Sequence, residues 1–502
     1  MRLPRASGIL LHPTSLPGPH GCGDLGAEAY RFVDWLVQAG QALWQVLPLG
    51  VIGAGNSPYA SPSAFAGNPL LIDLHELHAR GWLAEAELAA DVALPGDRVD
   101  FAATVSFRMR RLQAAASAFF AAADGEARAE YDAFVAAHAG WLEDFALFMA
   151  LSEAHDGAEW TAWPGALVHR DPQALRRAQA EHAERVAFWR FGQWCFYRQW
   201  AALRRYANGR GVRLVGDAPI FVGGHSADVW TNQALFELDT DGRPTVVAGV
   251  PPDYFSATGQ RWGNPLYRWD VHAADGFGWW LRRLRGIFEL VDLVRIDHFR
   301  GFAGYWEIPA AEPTAIHGRW RPGPGEALFE AVWAGLGRVP IIAEDLGLIT
   351  PDVTALRQRF RLPGMRVLQF AFGGDATNPF LPHHHTPDSV VYPGTHDNDT
   401  CVGWWAGAAA HEREFAAAYL RCDGDDIAAA MVHAALGSVA DTAIVALQDV
   451  LALDGRARMN FPGRAEGWWE WRVGPSPLEP ACAPRLAALG RLFDRAPPRP
   501  GG

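Results

Sequence analysis

Residues 290–301 read LVDLVRIDHFRG, and the rest of the chain is organised around this segment. Its first half is apolar, which is typical of a strand that is buried on both faces of a parallel sheet. Arg295 and Asp297 are two positions apart, so on a strand their side chains point to the same side. A guanidinium beside a carboxylate keeps it ionised, as a nucleophile requires, although an isolated Arg-x-Asp pair is more often an ordinary salt bridge.

The bulk composition limits the classes of function. The chain has 502 residues, 49% of them hydrophobic, which predicts a large buried core. Its formal charge of -12 argues against a nucleic-acid or membrane partner. Five scattered cysteines without a C-x-x-C pair indicate a reducing compartment and no zinc site. We find no signal peptide and no apolar run of about 20 residues, so we expect a cytoplasmic protein.

Seven other apolar runs resemble the one that ends at Asp297, and helical patterns separate several of them. These runs cover residues 7–13, 43–49, 212–217, 340–345, 365–372, 389–397 and 442–447. Eight strands that alternate with helices predict an α/β fold of the (β/α)8 TIM-barrel type. We expect a large, mainly helical insertion at about 53–206, after the second strand. A smaller lid-like insertion is expected at about 223–275, after the third.

Acidic residues follow several of these strands at the same end. They are Asp217, Asp297, Glu344 and Asp397. Because barrel active sites are built at the carboxyl ends of the strands, the pattern predicts an active site based on carboxylates. Three chemistries remain open at this point: a metal-assisted lyase, proton abstraction of the enolase type and glycoside transfer.

The side chains around these carboxylates indicate the class of ligand. Besides Arg295, they include two histidines and several aromatic residues. The full set is Arg295, His298, His396, Tyr59, Tyr254, Phe255 and Trp262. Flat aromatic rings stack on sugar rings, so the set favours a neutral, polyhydroxylated ligand over a phosphorylated one. We expect no metal and no cofactor.

Seven sequence blocks, in order along the chain, carry a family resemblance. They are SPY at 57–59, SAFAGNP at 63–69, GVPPDYF at 249–255, GQRWGNP at 259–265, RIDHFRG at 295–301, AEDLG at 343–347 and GTHDNDT at 394–400. Together they resemble the 4-α-glucanotransferases called amylomaltases or disproportionating enzymes, in their short bacterial form. The likeness runs from the first strand to about Arg472. It implies one catalytic barrel over 1–502 without a C-terminal β-domain.

The resemblance also implies a reaction and a set of site residues. The reaction moves α-1,4-glucan segments from a maltooligosaccharide, starch or glycogen donor to the 4-hydroxyl of glucose or a glucan. Asp297 would be the nucleophile, Glu344 the general acid/base and Asp397 the transition-state stabiliser, with the first two about 5 to 5.5 Å apart. The implied substrate-binding residues are Tyr59, Asp217, Asp253, Tyr254, Phe255, Gln260, Trp262, Arg295, His298, His396 and Asn460.

Some assignments stay open at the level of sequence. His298 is interpreted equally well as a hydrogen-bonded wall residue. The block at 458–472 departs from the family pattern, because Arg464 replaces an expected Thr and Trp468 an expected Asn, which affects distal subsites. Rival functions are an α-glucan hydrolase, a non-catalytic glucan-binding protein and a metal-dependent barrel lyase.

Overall fold

The computed structural model describes residues 3–122, 125–252, 256–464, 466–474 and 482–496. Its strands are β1 Ala6–Leu10, β2 Leu43–Gln45, β3 Arg213–Pro219, β4 Val246–Val250, β5 Gln260–Pro265, β6 Leu293–Asp297, β7 Gly304–Pro309, β8 Arg319–Pro322, β9 Ile341–Ala343, β10 Gly364–Val367, β11 Ser389–Tyr392 and β12 Thr442–Ala446.

The helices occupy the connections between these strands. They are α1 Ala27–Gln38, α2 Leu74–Ala79, α3 Phe101–Ala122, α4 Gly125–Ala154, α5 Gly165–Val168, α6 Pro172–Glu181, α7 Ala183–Gly209, α8 Ala227–Thr231, α9 Trp269–Ala274, α10 Gly278–Leu290, α11 Gly325–Leu336, α12 Pro351–Arg359, α13 Cys401–Gly407, α14 Ala410–Leu420, α15 Ile427–Gly437, α16 Leu447–Val450 and α17 Cys482–Leu492.

Within the described residues, eight parallel strands form one sheet in the order β10-β11-β12-β1-β2-β3-β6-β9. The sheet closes between β9 and β10, where the Ala343 N–H donates to the Pro363 carbonyl at 2.9 Å. The predicted (β/α)8 barrel is therefore confirmed. Its strands are shorter than the apolar runs that predicted them. Leu290, for example, belongs to α10, because the apolar pattern continues into the packed helix before the strand.

The direction of the side chains along β6 sets the function of this strand. Leu293 packs inside the barrel, whereas Val294 and Ile296 pack outward against the surrounding helices. Because side chains alternate along a strand, Arg295 and Asp297 share the inward direction of Leu293. The core around them is apolar and includes Leu10, Leu43, Val215, Ile342, Met365, Val367, Tyr392 and Ile444. An arginine thus lies among apolar side chains, with the carboxylate above it at the strand end.

The segment between β2 and β3 contains α2 to α7. α4 and α7 pack against each other, with the Phe145 and Trp189 rings 5.8 Å apart. α4 is long and apolar enough, by length and composition alone, to cross a membrane, so the sequence-based statement that no such segment exists is wrong. A helix that is buried in a protein core passes the same test, because burial also requires an apolar surface.

A second sheet flanks the barrel and was missed in the sequence. In the same described part of the chain, four strands pair antiparallel in the order β5-β4-β7-β8. β4 and β5 precede β6, whereas β7 and β8 follow it. β5, β7 and β8 are partly or fully exposed and contain polar residues, glycine or proline, so they lack the continuous apolar runs that marked the barrel strands. β4 is a short apolar run, VVAGV, whose neighbours in the sheet are the less regular strands β5 and β7. This sheet lies at the carboxyl-terminal end of β6, where it can shape the site.

Candidate active site

Arg295 connects two of the predicted carboxylates. It pairs in register with Asp217 of the neighbouring strand β3, and Asp297 pairs with Pro219. Its Nη1 donates to both oxygens of Asp217 at 2.8 Å, and its Nη2 donates to Asp297 Oδ1 at 2.8 Å. Burial disfavours the charged guanidinium, but Asp217 and Asp297 outweigh it and raise the pKa of Arg295 well above its ordinary value. Arg295 therefore contacts Asp297 directly and is itself held by Asp217.

Asp297 is the most exposed of the three side chains Asp217, Arg295 and Asp297. Its side chain is 31% exposed, whereas those of Arg295 and Asp217 are 4% and 0% exposed. Among the residues that the structure describes, only Oδ1 of Asp297 has a hydrogen-bond partner. The second oxygen is available to a ligand above β6. A cation that is bound to the first oxygen stabilises the negative charge of this carboxylate.

His298 turns the chain sharply where β6 ends. Its backbone is in the left-handed region, with φ 54° and ψ 46°. Such a conformation is costly for a residue with a side chain and is typical of functional sites. Here it directs the His298 N–H at Glu344 Oε2, at 2.7 Å. The Leu346 N–H donates to Glu344 Oε1 at 2.9 Å, so two backbone groups orient this carboxyl.

The environment of Glu344 differs from that of Asp297. Burial, followed by the charge of Asp297, raises the pKa of Glu344 to about 8. Arg295 and the two backbone N–H groups favour the ionised form but do not outweigh burial. A carboxyl with this pKa holds its proton at neutral pH. The site thus places a proton donor beside a carboxylate that is paired with arginine.

Tyr59 joins the Arg295 group to His396. Its hydroxyl lies 2.8 Å from Asp217 Oδ2 and 2.8 Å from His396 Nε2. The rings of Tyr59 and His396 are stacked, with centroids 5.3 Å apart. Burial is the largest cause that raises the pKa of Tyr59 well above its ordinary value, so the hydroxyl keeps its proton. With Asp217 accepting, the hydrogen bonds form a chain from Arg295 to His396.

Asp397 lies at the other end of this chain. Its Oδ1 is 3.4 Å from His396 Nε2 and accepts a hydrogen bond from Asn460 Nδ2 at 2.6 Å. The Arg458 guanidinium donates to the backbone carbonyl of Asp397 at 2.6 Å. The Asp397 side chain is 38% exposed, so it is held by neighbours and still open to a ligand.

Trp262 and His298 form an aromatic wall beside the strand ends. Their rings meet edge to face, with centroids 4.7 Å apart, and the Trp262 indole N–H donates to Gln260 Oε1 at 3.1 Å. Burial lowers the pKa of His298 to about 4, so its ring is neutral. Trp262 is 38% exposed, which leaves aromatic surface for a stacked ligand.

Most of the predicted site residues therefore come together, and the exceptions can be named. Asp253, Tyr254 and Phe255 lie outside the described residues. Two contacts were not predicted: Arg458, which holds the Asp397 backbone, and Trp469, whose ring centroid is 5.7 Å from that of Tyr59. Both belong to the late block that contains Asn460, and this proximity in sequence was the available signal.

The described ranges contain no group of three or more His, Cys, Asp or Glu side chains that could hold a metal ion. The described side chains offer a carboxylate that is paired with arginine, Asp297, and a carboxyl that keeps its proton at neutral pH, Glu344. An ionised carboxylate can attack an electrophilic carbon while a neighbouring acid protonates the leaving oxygen. This is the arrangement that glycoside cleavage and transfer require.

Comparison with known proteins agrees with this arrangement. The family model for 4-alpha-glucanotransferase matches residues 11–476. A 4-alpha-glucanotransferase from Thermus thermophilus is 53% identical over 99% of this chain and 100% of its own length. One from Synechocystis is 45% identical over 98% of each chain.

A solved structure extends the likeness to three dimensions. The amylomaltase from Streptococcus agalactiae, determined in complex with acarbose, superimposes with a TM-score of 0.95. It shares 37% identity, covering 98% of this chain and 100% of its own. On the family match, the near full-length relatives and the common fold, this chain belongs to the 4-alpha-glucanotransferase family.

Proposed function

We propose that the protein transfers α-1,4-glucan segments between maltooligosaccharide or starch-like chains through a covalent glucosyl-enzyme. One observation carries the proposal: Asp297 is paired with Arg295, and beside it burial raises the pKa of Glu344 to about 8. A carboxylate paired with an arginine, next to a carboxyl that keeps its proton at neutral pH, supplies the nucleophile and the acid that the reaction needs.

In the first half-reaction Asp297 attacks the anomeric carbon of the donor sugar. The bond to the glycosidic oxygen breaks, and the proton of Glu344 moves to that oxygen, which leaves as a 4-hydroxyl. Asp297 is then esterified and Glu344 is ionised. In the second half-reaction Glu344 removes the proton of an acceptor 4-hydroxyl while that oxygen displaces Asp297. Two inversions give retention at the anomeric carbon.

Asp397 acts on the sugar ring itself. It lies beside His396 and Asn460 and keeps part of its surface open. We assign it, together with His396, to the ring hydroxyls at positions 2 and 3. Hydrogen bonds to these groups strengthen as the ring flattens, so the contact stabilises the transition state more than the ground state. Tyr59, Asp217 and Arg295 hold this side of the site.

We assign binding of the sugars on either side of the cleaved bond to aromatic and amide side chains. Trp262, Gln260 and His298 form the wall that a sugar ring would stack against, and Asn460 contacts a donor-side sugar. By family resemblance we assign Asp253, Tyr254 and Phe255, which lie outside the described residues, to a lid that excludes water, so that the glucosyl-enzyme reacts with a sugar hydroxyl. In Tyr254→Ala and Phe255→Ala the ratio of transfer to hydrolysis should fall, and an unchanged ratio rejects the lid.

Incubation with maltotriose tests the function. Transfer yields glucose together with longer maltooligosaccharides, whereas a hydrolase yields only shorter sugars and a binding protein yields no product. We expect Glu344→Gln to lower the transfer rate by about 10²- to 10⁴-fold, since the amide cannot donate the proton. Full transfer in this variant would reject the assignment.

Two further properties are proposed. Glucose serves as an acceptor, and activity survives treatment with a chelator because the proposed steps need no metal. The protein works in a reducing compartment, as in the cytoplasm, since its five cysteines are scattered and free. An acceptor assay with labelled glucose and a chelator series check the first two statements.

A further inference from the structure

His12 lies beside the site, and the proposed mechanism does not use it. It follows β1 at the carboxyl-terminal face of the barrel, and only 5% of its surface is exposed. Its Nδ1 is buried and has no hydrogen-bond partner among the described residues. A buried polar atom without a partner is costly, so such an atom commonly marks a bound water or a ligand.

A small cavity lies against His12. It measures about 30 Å³, and its lining combines polar residues such as Ser15, His396, Asp399 and Gln448 with apolar ones such as Leu47 and Met459. A cavity needs roughly 10–15 Å³ to hold a water, together with polar partners for that water. The cavity is therefore large enough for a water, and His12 and His396 both line it.

His396 connects the cavity with the proposed catalytic residues, because it lines the cavity and also contacts Tyr59 and Asp397. Its Nε2 faces the Tyr59 hydroxyl at 2.8 Å and Asp397 Oδ1 at 3.4 Å. A rotation of the imidazole would break both contacts. Burial, followed by the nearby His396, lowers the pKa of His12 to about 3. The neutral His12 ring offers one donor and one acceptor nitrogen.

We propose that His12 is a positioning residue that fixes the ring of His396 through a water in this cavity. The inference rests on the proposed function, in which His396 contacts the sugar. Groups that orient a functional histidine commonly change activity by about 10- to 100-fold when they are removed.

The test compares three variants of the full-length protein in the maltotriose assay. His12→Phe removes both ring nitrogens and keeps an aromatic ring, whereas His12→Asn keeps a polar atom near the position of Nδ1. His272→Phe is the matched control, because His272 is a fully buried histidine among aromatic rings on α9, outside the site. Melting temperatures establish that each variant folds.

We expect kcat to fall about tenfold in His12→Phe while KM changes by less than about twofold, because the contact acts in the transition state. His12→Asn recovers most of kcat, and His272→Phe keeps the wild-type value. In a His396→Asn background, His12→Phe has no further effect, since both changes remove one interaction. An unchanged kcat in His12→Phe, or effects that multiply in the double variant, overturns the inference.

A second measurement does not depend on any variant. A high-resolution crystal structure of the wild type should show a water bonded to His12 Nδ1 and His396, and a dry cavity overturns the proposal. Failure of the proposed function looks different, because the wild type would then form no longer oligosaccharides from maltotriose. Failure of the His12 inference leaves wild-type transfer intact.

Discussion

Asp297 and Glu344 are both carboxylic acids at the ends of adjacent strands, yet their surroundings differ. Asp297 accepts from a buried guanidinium and is partly exposed. Glu344 accepts from two backbone N–H groups, and burial together with Asp297 raises its pKa to about 8. Arg295 offers Asp297 a full positive charge, whereas the two backbone N–H groups offer Glu344 partial charges that do not outweigh burial. The protonation of Glu344 therefore follows from its buried surroundings and not from the type of residue.

Replacement of Asp297, the proposed nucleophile, should have the largest effect. In Asp297→Asn the amide cannot form the ester, so we expect transfer to fall by at least about 10⁴-fold. The loss should appear in kcat for maltotriose, while binding of the substrate persists. Loss of the negative charge should also lower the pKa of Glu344, which a pH titration followed by infrared spectroscopy can measure. Wild-type turnover in Asp297→Asn, or an unchanged pKa of Glu344, would contradict the proposed difference between the two carboxyl groups.

Removal of the Arg295 guanidinium should have the second largest effect. Arg295→Met leaves Asp217 buried without its partner, so the free energy of unfolding should fall by about 3–5 kcal/mol, as measured by urea denaturation. Transfer should fall as well, since Asp297 loses its orientation.

Arg204→Met is the matched control, because Arg204 pairs with Asp292 just before the same strand, at 2.7 Å in a more exposed setting. In Arg204→Met the free energy of unfolding should fall by only about 1 kcal/mol, and the variant should keep its activity. Equal losses of activity in the two variants would show that the pairing at Asp297 has no special role.

The dependence of kcat/KM on pH tests Glu344 as the proton donor. Glu344 must be protonated to donate, and its raised pKa of about 8 means that the proton is retained through neutrality and lost above that value. We expect kcat/KM to decline about tenfold per pH unit above pH 8. A profile measured in Glu344→Gln should lack this alkaline limb. A wild-type limb near the ordinary pKa of glutamate would contradict the burial argument.

The smallest effect is expected at Tyr59. Tyr59→Phe removes a hydroxyl that lies between Asp217 and His396 but leaves both ion pairs of Arg295 in place. We expect transfer to fall about fivefold, in line with the loss of one hydrogen bond of about 1 kcal/mol. The alkaline limb should not move, because Tyr59 makes no contact with Glu344. A shift of that limb would show that the two halves of the site are coupled.

The barrel could be predicted from the sequence because its strands are continuous apolar runs, several of which are followed by an acidic residue. Arg295 and Asp297 were assigned to one face of a strand by their spacing, and the packing of Leu293 and Val294 agrees. The orientation of Glu344 could not be predicted, since it depends on backbone N–H groups and on a left-handed residue at His298. Backbone donors carry no signature in the amino-acid sequence.

The second sheet escaped prediction for a different physical reason. β4 pairs with β7 although β5 and β6 lie between them in sequence, so the two partners are far apart along the chain. Both strands are also only partly buried. Short, half-exposed strands have no strong hydrophobic period. Pairing with a distant partner is a tertiary property that overrides local preference.

The pairing of β4 with β7 also limits how this enzyme can be redesigned. Residues 253–255 lie in sequence between β4 and β5, but β4 is hydrogen-bonded to β7, a strand that follows Asp297 in the sequence. A chimera that imports only residues 246–265 from a relative would receive a loop without its matching support. Exchange of 246–265 together with 304–322, leaving β6 untouched, transfers the sheet as one unit and keeps the parental Asp297 and Arg295.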